Sequence, residues 1–377
     1  MFKNMKNNSN RDFEKKVNKN IASLKGGDNF SGIVKILRKA QPGPVIFTVS
    51  DGYNMADAVI KDSDFNVGDI IEIKGFANTR GGKMQIEIEK IRESNKDFIS
   101  IVDKNSEPQN TSFTIQSERL EKLRPYFFKI AKRIRKAVFE NQPIMIRHHS
   151  DSDGINAGLA IENSCRILMK KIGANPEFNL FRSPSRAPYY DIIDAFKDIV
   201  LIKKVLEPHG QSQPLIIVLD NGSTPEDIFG LRTMKSIGFE TIVIDHHNPV
   251  IIQNKKTTVD PYLSLHLNPY LEGLDSQLCA GMLAYELARW ICEDYSNPSL
   301  PAVAGITDRS TIKEAEEYIR KSGKSKKELE EIGTAIDFIA YQLKFDSGKG
   351  IYEELYNNQE LIKIINEEVR KGVQTQL

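Results

Sequence analysis

Pro143-Ile144-Met145-Ile146-Arg147-His148-His149-Ser150-Asp151-Ser152-Asp153-Gly154 decides how the second half of this chain folds. A short apolar run that opens into polar residues and a glycine reads as a buried strand emptying into a loop, with a helix starting near Ile155. In open α/β sheets, ligands sit at the carboxyl ends of strands. In extended backbone the alternate residues His149, Asp151 and Asp153 share one face. An imidazole beside two carboxylates suits Mn²⁺, Zn²⁺ or Fe²⁺ better than Ca²⁺. On spacing alone, an acidic loop that caps a helix explains the same residues.

Outward from this stretch a strand-to-helix rhythm repeats. A helix to Ile172 is followed by an expected strand over Glu177 to Phe181 and a helix around Tyr190 to Leu206. Leu215-Ile216-Ile217-Val218-Leu219 reads as a buried strand ending in Asp220-Asn221-Gly222-Ser223, and Pro225 then opens another helix. Thr241-Ile242-Val243-Ile244 ends in Asp245-His246-His247. Apolar strands separated by helices of this length predict an α/β domain with a mostly parallel sheet covered by helices on both faces. Three polar clusters then meet at one sheet edge.

Strand ends reading HxDxDG, LDNGS and DHH resemble the DHH phosphoesterase superfamily. A fourth block, Ala304-Gly305-Ile306-Thr307-Asp308-Arg309, follows in the expected order, and the resemblance spans residues about 141 to 310. It implies a pair of divalent ions, Mn²⁺ by preference and Mg²⁺ as the alternative. His149, Asp151 and Asp220 would hold one, and Asp153, Asp220, His246 and Asp308 the other, with Asp220 bridging. It gives His247 contact with the scissile phosphate, with Arg147, His148 and Arg309 as lesser phosphate contacts, and places Asp245, like His148, behind the ligands. Independently of the family, carboxylates this close stay ionised only beside cations. Two such ions can activate water and stabilise charge on a phosphoryl group.

With 377 residues, 40% hydrophobic and 27% charged, the chain is long enough for two or three globular domains. Its net charge of +1 decides nothing about nucleic acid. No apolar run approaches a membrane span and the polar start is no signal peptide, so a cytoplasmic protein without membrane contact is expected. The dispersed Cys165, Cys279 and Cys292 read as reduced, buried thiols.

The expected organisation begins with a basic arm over 1–25, where seven basic residues face two acidic ones. Five short strands over 26–93, including the Gly81-Gly82 hairpin, resemble a small all-β OB-fold barrel. On it Lys35, Arg38, Phe47, Tyr53 and Arg80 are candidate single-strand contacts. A polar linker over 94–116 leads to the α/β domain over 117–310. The leading helix 117–139 carries eight basic residues against two acidic ones. Lys132 and Arg133 on that helix are candidate contacts for a polyphosphate approach surface. Residues 311–377 form a helical extension. His266 and Asn268 are lesser candidates near the site, Asp275-Ser276 is an expected cap for a helix over Gln277 to Cys292, and Cys279-Ala280-Gly281 suggests close packing against the sheet.

A barrel ahead of the domain and a basic helix between them resemble the archaeal RecJ-like proteins. The leading expectation is therefore a single-strand 5′–3′ exonuclease for DNA or RNA, in DNA repair or replication and in company with replisome or repair proteins. The alternatives are a phosphodiesterase for short oligonucleotides or cyclic dinucleotides, and a replisome scaffold with little activity. The Gly-rich second domain of RecJ-like enzymes has no counterpart before Leu377, which implies a truncated piece, reliance on a partner or confinement to short substrates.

Overall fold

The computed structural model describes residues 20–344 and 346–374, so the expected basic arm lies outside the described residues as far as position 19. Strands β1 (Asn29–Ala40), β2 (Val45–Ser50), β3 (Met55–Ile60), β4 (Ile70–Arg80) and β5 (Lys83–Glu93) close into a barrel, with neighbour order β1-β2-β3-β5-β4. Period-two alternation sends Val34, Ile36, Phe47, Val49, Ala58, Ile71 and Ile86 inward, where all are fully buried. The β3–β5 closure is parallel and the other pairs antiparallel, an OB-like arrangement. Phe47 is therefore core, not a platform for a base, because its position in β2 points into the barrel.

The expected linker contains a helix, α1 (Phe98–Asn105), whose first turn is capped by Asp97 and whose Phe98 and Val102 are buried. A polar composition concealed it, since two buried residues suffice to dock so short an element. Helix α2 (Glu118–Phe139) starts at the Ser117 cap and presents Leu120, Leu123, Phe127, Ile130 and Ile134 to the core at helical spacing.

The second half builds a five-stranded sheet of order β12-β9-β8-β6-β7, parallel throughout. Its elements, in chain order, begin with β6 (Ile144–His148), α3 (Ser152–Lys171), α4 (Pro176–Asn179), β7 (Leu180–Pro184) and α5 (Ile192–Leu201). Next come β8 (Leu215–Leu219), α6 (Ile228–Ser236), β9 (Glu240–Ile244), a small hairpin of β10 (Ile251–Gln253) and β11 (Lys256–Thr257), and β12 (Leu265–Leu267). Helices α7 (Ala280–Ile291), α8 (Ser299–Thr307), α9 (Lys313–Ser322), α10 (Lys326–Leu343), α11 (Ile351–Leu355) and α12 (Gln359–Gln374) follow. Both sheet faces are buried: Ile144, Ile146, Ile217 and Ile244 join one core with α2, α3 and α7, while Met145, Ile216, Val218 and Val243 join the other with α5 and α6. The strand expected at Glu177 starts later, because Asn175 caps a helical turn with Pro176 in its first position.

The chain runs from β6 to β7 on one side and returns to β8 on the other, so the topological switch point lies between β6 and β8. Crevices form there at strand carboxyl ends, which is where the polar clusters of β6 and β8 emerge.

The barrel sits at the opposite rim. Met55 N–H donates to the Ile172 carbonyl at the far end of α3 (2.6 Å), Asn105 Nδ2 to the Gly52 carbonyl (2.7 Å) and Arg38 to the His209 carbonyl (3.1 Å). Helix α3 separates this junction from the switch point by about 30 Å, its twenty residues rising about 1.5 Å each. Gly173 makes the contact feasible, since its φ is +83° and a Cβ there would meet the Met55 carbonyl oxygen at 2.4 Å. Gly173→Ala is expected to loosen the barrel at a cost of roughly 1–3 kcal/mol. Small-angle scattering should show an enlarged radius of gyration, with the circular dichroism of the α/β domain unchanged.

Candidate metal centre

The loop after β6 begins the site. Asp151 is the N-cap of α3, with Oδ1 accepting from Gly154 N–H at 2.9 Å, so the helix starts at Ser152 rather than near Ile155. Asp153 therefore reaches the site from a helical first turn, which corrects the extended-face argument for that residue. Gly154 lets the turn close over the strand end, because a Cβ would stand 2.4 Å from the His149 carbonyl oxygen. Both Asp153 oxygens accept backbone N–H groups at the start of α7, from Ala280 (2.9 Å) and Gly281 (2.8 Å). Gly281 packs closely against Ala304 and Asp153, not against the sheet as the sequence suggested, and this grip on a carboxylate by a helix N-terminus was not legible.

Asp220 occupies the end of β8 in the left-handed region (φ 57°), almost fully buried, and among the described residues neither of its oxygens has a hydrogen-bond partner. His149 Nδ1 lies 2.8 Å from Asp151 Oδ2 and 3.4 Å from Asp220 Oδ2, yet the angles make neither a hydrogen bond and the nitrogen is also without a partner. From the other side, His246 Nε2 stands 3.3 Å from Asp220 Oδ1 and 3.7 Å from Asp153 Oδ2. His246 Nδ1 donates to the Ser276 carbonyl at 2.7 Å, which fixes the tautomer and leaves Nε2 as the lone-pair donor. Asp308, at the end of α8, completes the cluster with Oδ2 3.7 Å from His246. The triplets His149/Asp151/Asp220, Asp220/His246/His247 and Asp153/Cys279/Asp308 each bring ligand atoms within 4.8 Å of one another, and Asp220 belongs to two of them.

The electrostatics express crowding. Burial, then Asp220, pushes the Asp153 carboxyl up to about 7, and burial, then Asp153, raises Asp308 to about 6. Burial alone would lower the histidines, but contacts with Asp151 and Asp220 lift His149 to about 10, and Asp220 and Asp153 lift His246 to about 11. Protons thus supply the positive charge that this set of oxygens and imidazoles demands. Orphaned buried acceptors with a tautomer-fixed imidazole fit divalent cations.

A second layer holds these groups. Asp245 is fully buried. Its Oδ1 accepts from His247 Nδ1 (2.7 Å) and from the His246 N–H (2.7 Å), and its Oδ2 accepts from the Ser223 N–H (3.2 Å). Although burial opposes it, these donors keep the Asp245 carboxyl well below the usual range. The same bond, against burial, raises His247 to about 9, and its side chain is 41% exposed. His266 links Asp260 and Ser223 (2.9 Å each), and Asn268 donates to Ser223 Oγ and to the His247 carbonyl. This resembles a nucleophilic triad in its residues, but Ser223 is wholly buried, so the relay braces the His247 loop. His148 is buried, neutral with its pKa lowered to about 3 by burial and Arg182, and bonded to the His149 carbonyl. It steadies the ligand loop and touches no open surface.

Other expected contacts lie elsewhere. Arg147 is buried against Asp198 and the Pro184 carbonyl, which removes it from any phosphate, while Arg309 is exposed beside Asp308. On the barrel, Arg80 pairs with Glu87, Arg38 spans to the α/β domain, Lys35 is half-buried in β1 and Tyr53 is exposed near the junction. None of these reaches the cluster. The basic face of α2 is largely neutralised: Lys132 binds Asp103 and Glu107, Arg133 binds Glu240, Arg119 binds Asp275 and Arg124 binds Glu121. Arg135 turns inward to the carbonyls of Asn105, Ser106 and Ile291. A charge count from sequence could not reveal those partners.

Residues 143–307 match the DHH family, N-terminal domain. The chain is 37% identical over 380 residues to an uncharacterized protein of Methanocaldococcus jannaschii, covering 89% of this chain and 50% of the relative. It thus spans about half the length of that curated relative. The solved DHH domain of a member of the s1p family of ribosomal proteins is 37% identical, covers 74% of this chain and 66% of its own, and superposes with a TM-score of 0.68. RecJ from Thermus thermophilus, solved in complex with Mn²⁺, is 15% identical with a TM-score of 0.43 over 71% of this chain and 39% of its own. Among the described residues no helix is long and apolar enough to cross a membrane. With the HxDxDG, LDNGS and DHH blocks gathered at one sheet edge and the family match running across them, residues 143–307 form a domain of the DHH family.

Proposed function

We propose that this protein is a metal-dependent phosphodiesterase that hydrolyses single-stranded nucleic acid from an end. The observation that carries the reading is the meeting of Asp151, Asp153, Asp220, Asp308, His149 and His246 around buried acceptors with no partner of their own. His149, Asp151 and Asp220 would hold one cation, and Asp153, Asp220, His246 and Asp308 a second. The mixed N/O donor set accommodates Mn²⁺, with Mg²⁺ the alternative. When bound, such ions supply a nucleophilic water at neutral pH and stabilise charge on the phosphoryl group.

The chain's own residues do the rest. Asp245 fixes the His247 ring through Nδ1, so that Nε2 is the atom available to donate to a phosphoryl or leaving oxygen. Exposed Arg309 adds positive charge beside Asp308. A full set of ligand residues argues against a silent scaffold. A second reading, a preference for short oligonucleotides, is favoured by the barrel's place at the far rim and by the ion-paired face of α2.

The direct test incubates 5′- and 3′-labelled single strands of DNA and RNA, and dinucleotides, with Mn²⁺ or Mg²⁺. Hydrolysis is expected in the wild type, and its absence on every substrate overturns the reading. Asp220→Ala should lower the rate by about 100-fold or more, beyond what outer partners of a metal site contribute. Asp245→Asn should cost about 10–100-fold in kcat, with cation binding retained. Because the cation-free cluster holds protons on His149, His246 and Asp153, cations must displace them. Affinity is therefore expected to rise with pH across 6 to 9, and titration calorimetry in buffers of different ionisation enthalpy should register net proton release.

A further inference from the structure

A cavity of about 470 Å³ adjoins the metal-ligand cluster and shares His149 and Asp151 with it as one wall. Arg186, in the loop after β7, and Asp337, Tyr341 and Lys344, on α10 and its C-terminal cap, line the remainder. Helix α10 lies beyond the residues matched to the family.

We propose that this cavity holds the nucleoside next to the scissile phosphodiester, its base stacked on the Tyr341 ring and the adjoining phosphate held by Arg186 and Lys344. The inference rests on the phosphodiesterase reading and names how that site takes its substrate. Tyr341 is 79% exposed, whereas Tyr318, Tyr352 and Tyr356 of the same extension are buried, so its ring serves no packing. A flat aromatic face beside a hydrolytic cluster stacks any base without reading sequence. The side chains of Arg186 and Lys344 are exposed and pair with no carboxylate among the described residues, the Arg186 backbone N–H alone donating to Asp194. Asp337 is the carboxylate that α10 brings to this wall, and Arg186 and Lys344 are the cations beside it that can meet a phosphate. Lys344 ends α10 in the left-handed conformation (φ 48°), a place where glycine is the usual residue. Strain of this kind persists where a side chain is needed. The volume falls in the roughly 300–1,000 Å³ range of small-ligand sites and suits one nucleotide unit.

The test uses the full chain with Mn²⁺ and pairs of single-stranded oligonucleotides that differ only in an abasic residue at the 5′ or the 3′ end. At the end that is attacked, the wild type is expected to show a KM about tenfold higher for the abasic strand. Tyr341→Ala should collapse that ratio to about one, and Tyr341→Phe should preserve it. Arg186→Ala and Lys344→Ala should each flatten the dependence of log KM on log salt by about 0.7, the contribution of one phosphate contact on a single strand. Wild-type protein that cuts both strands with equal KM, or a ratio that survives Tyr341→Ala, overturns the cavity assignment while hydrolysis stands. If neither strand is cut, the phosphodiesterase reading falls and takes this one with it.

Discussion

Mutual repulsion among Asp151, Asp153, Asp220 and Asp308 is the constraint around which the α/β domain is arranged. Carboxylates brought out of water and against one another are costly in the ionised state unless positive charge enters with them. The fold meets part of that demand itself, through the first N–H groups of α7 on Asp153 and the imidazoles of His149 and His246. Asp220, almost wholly buried with neither oxygen hydrogen-bonded, is where the protein's own donors run out. The left-handed backbone of Asp220 and the N-cap geometry of Asp151 are local features that place these oxygens.

Much of this was legible because apolar strands cannot conceal where they end. Ile144, Leu215 and Ile242 open runs buried on both faces, and the residues that break those runs must lie at a sheet edge. What sequence could not supply was the conformation of the break. Ser152 starts a helix, so Asp153 arrives by a different route from His149. Strand β12 escaped notice because three residues with a histidine at the centre carry no periodicity, yet its pairing with β9 brings His266 and Asn268 beneath the His247 loop. Charge patterns misled for a related reason. Lys132 and Arg133 read as phosphate contacts from the charge of their helix, and Arg147 from the resemblance, and each has an acidic partner far away in the chain.

The position of the barrel separates two properties that the order of the sequence seemed to join. An OB-like module ahead of the site suggests a feeder, but its anchoring to the last turn of α3 sets it at the amino end of the sheet. The helical extension, in contrast, contributes α10 to the wall beside the ligand residues. Proximity in chain order and proximity to the chemistry are inverted between the two halves.

Arg135 bears a consequence of its own. Its fork takes up carbonyls at the end of α1 and at the end of α7, so a single guanidinium neutralises the negative poles of two helices at once. A lysine ammonium, a point charge on a flexible stem, has no rigid planar array with which to span both sets of oxygens. One of the eight basic residues of α2 is thus a rivet, joining the segment that follows the barrel to the helix whose opposite end grips Asp153.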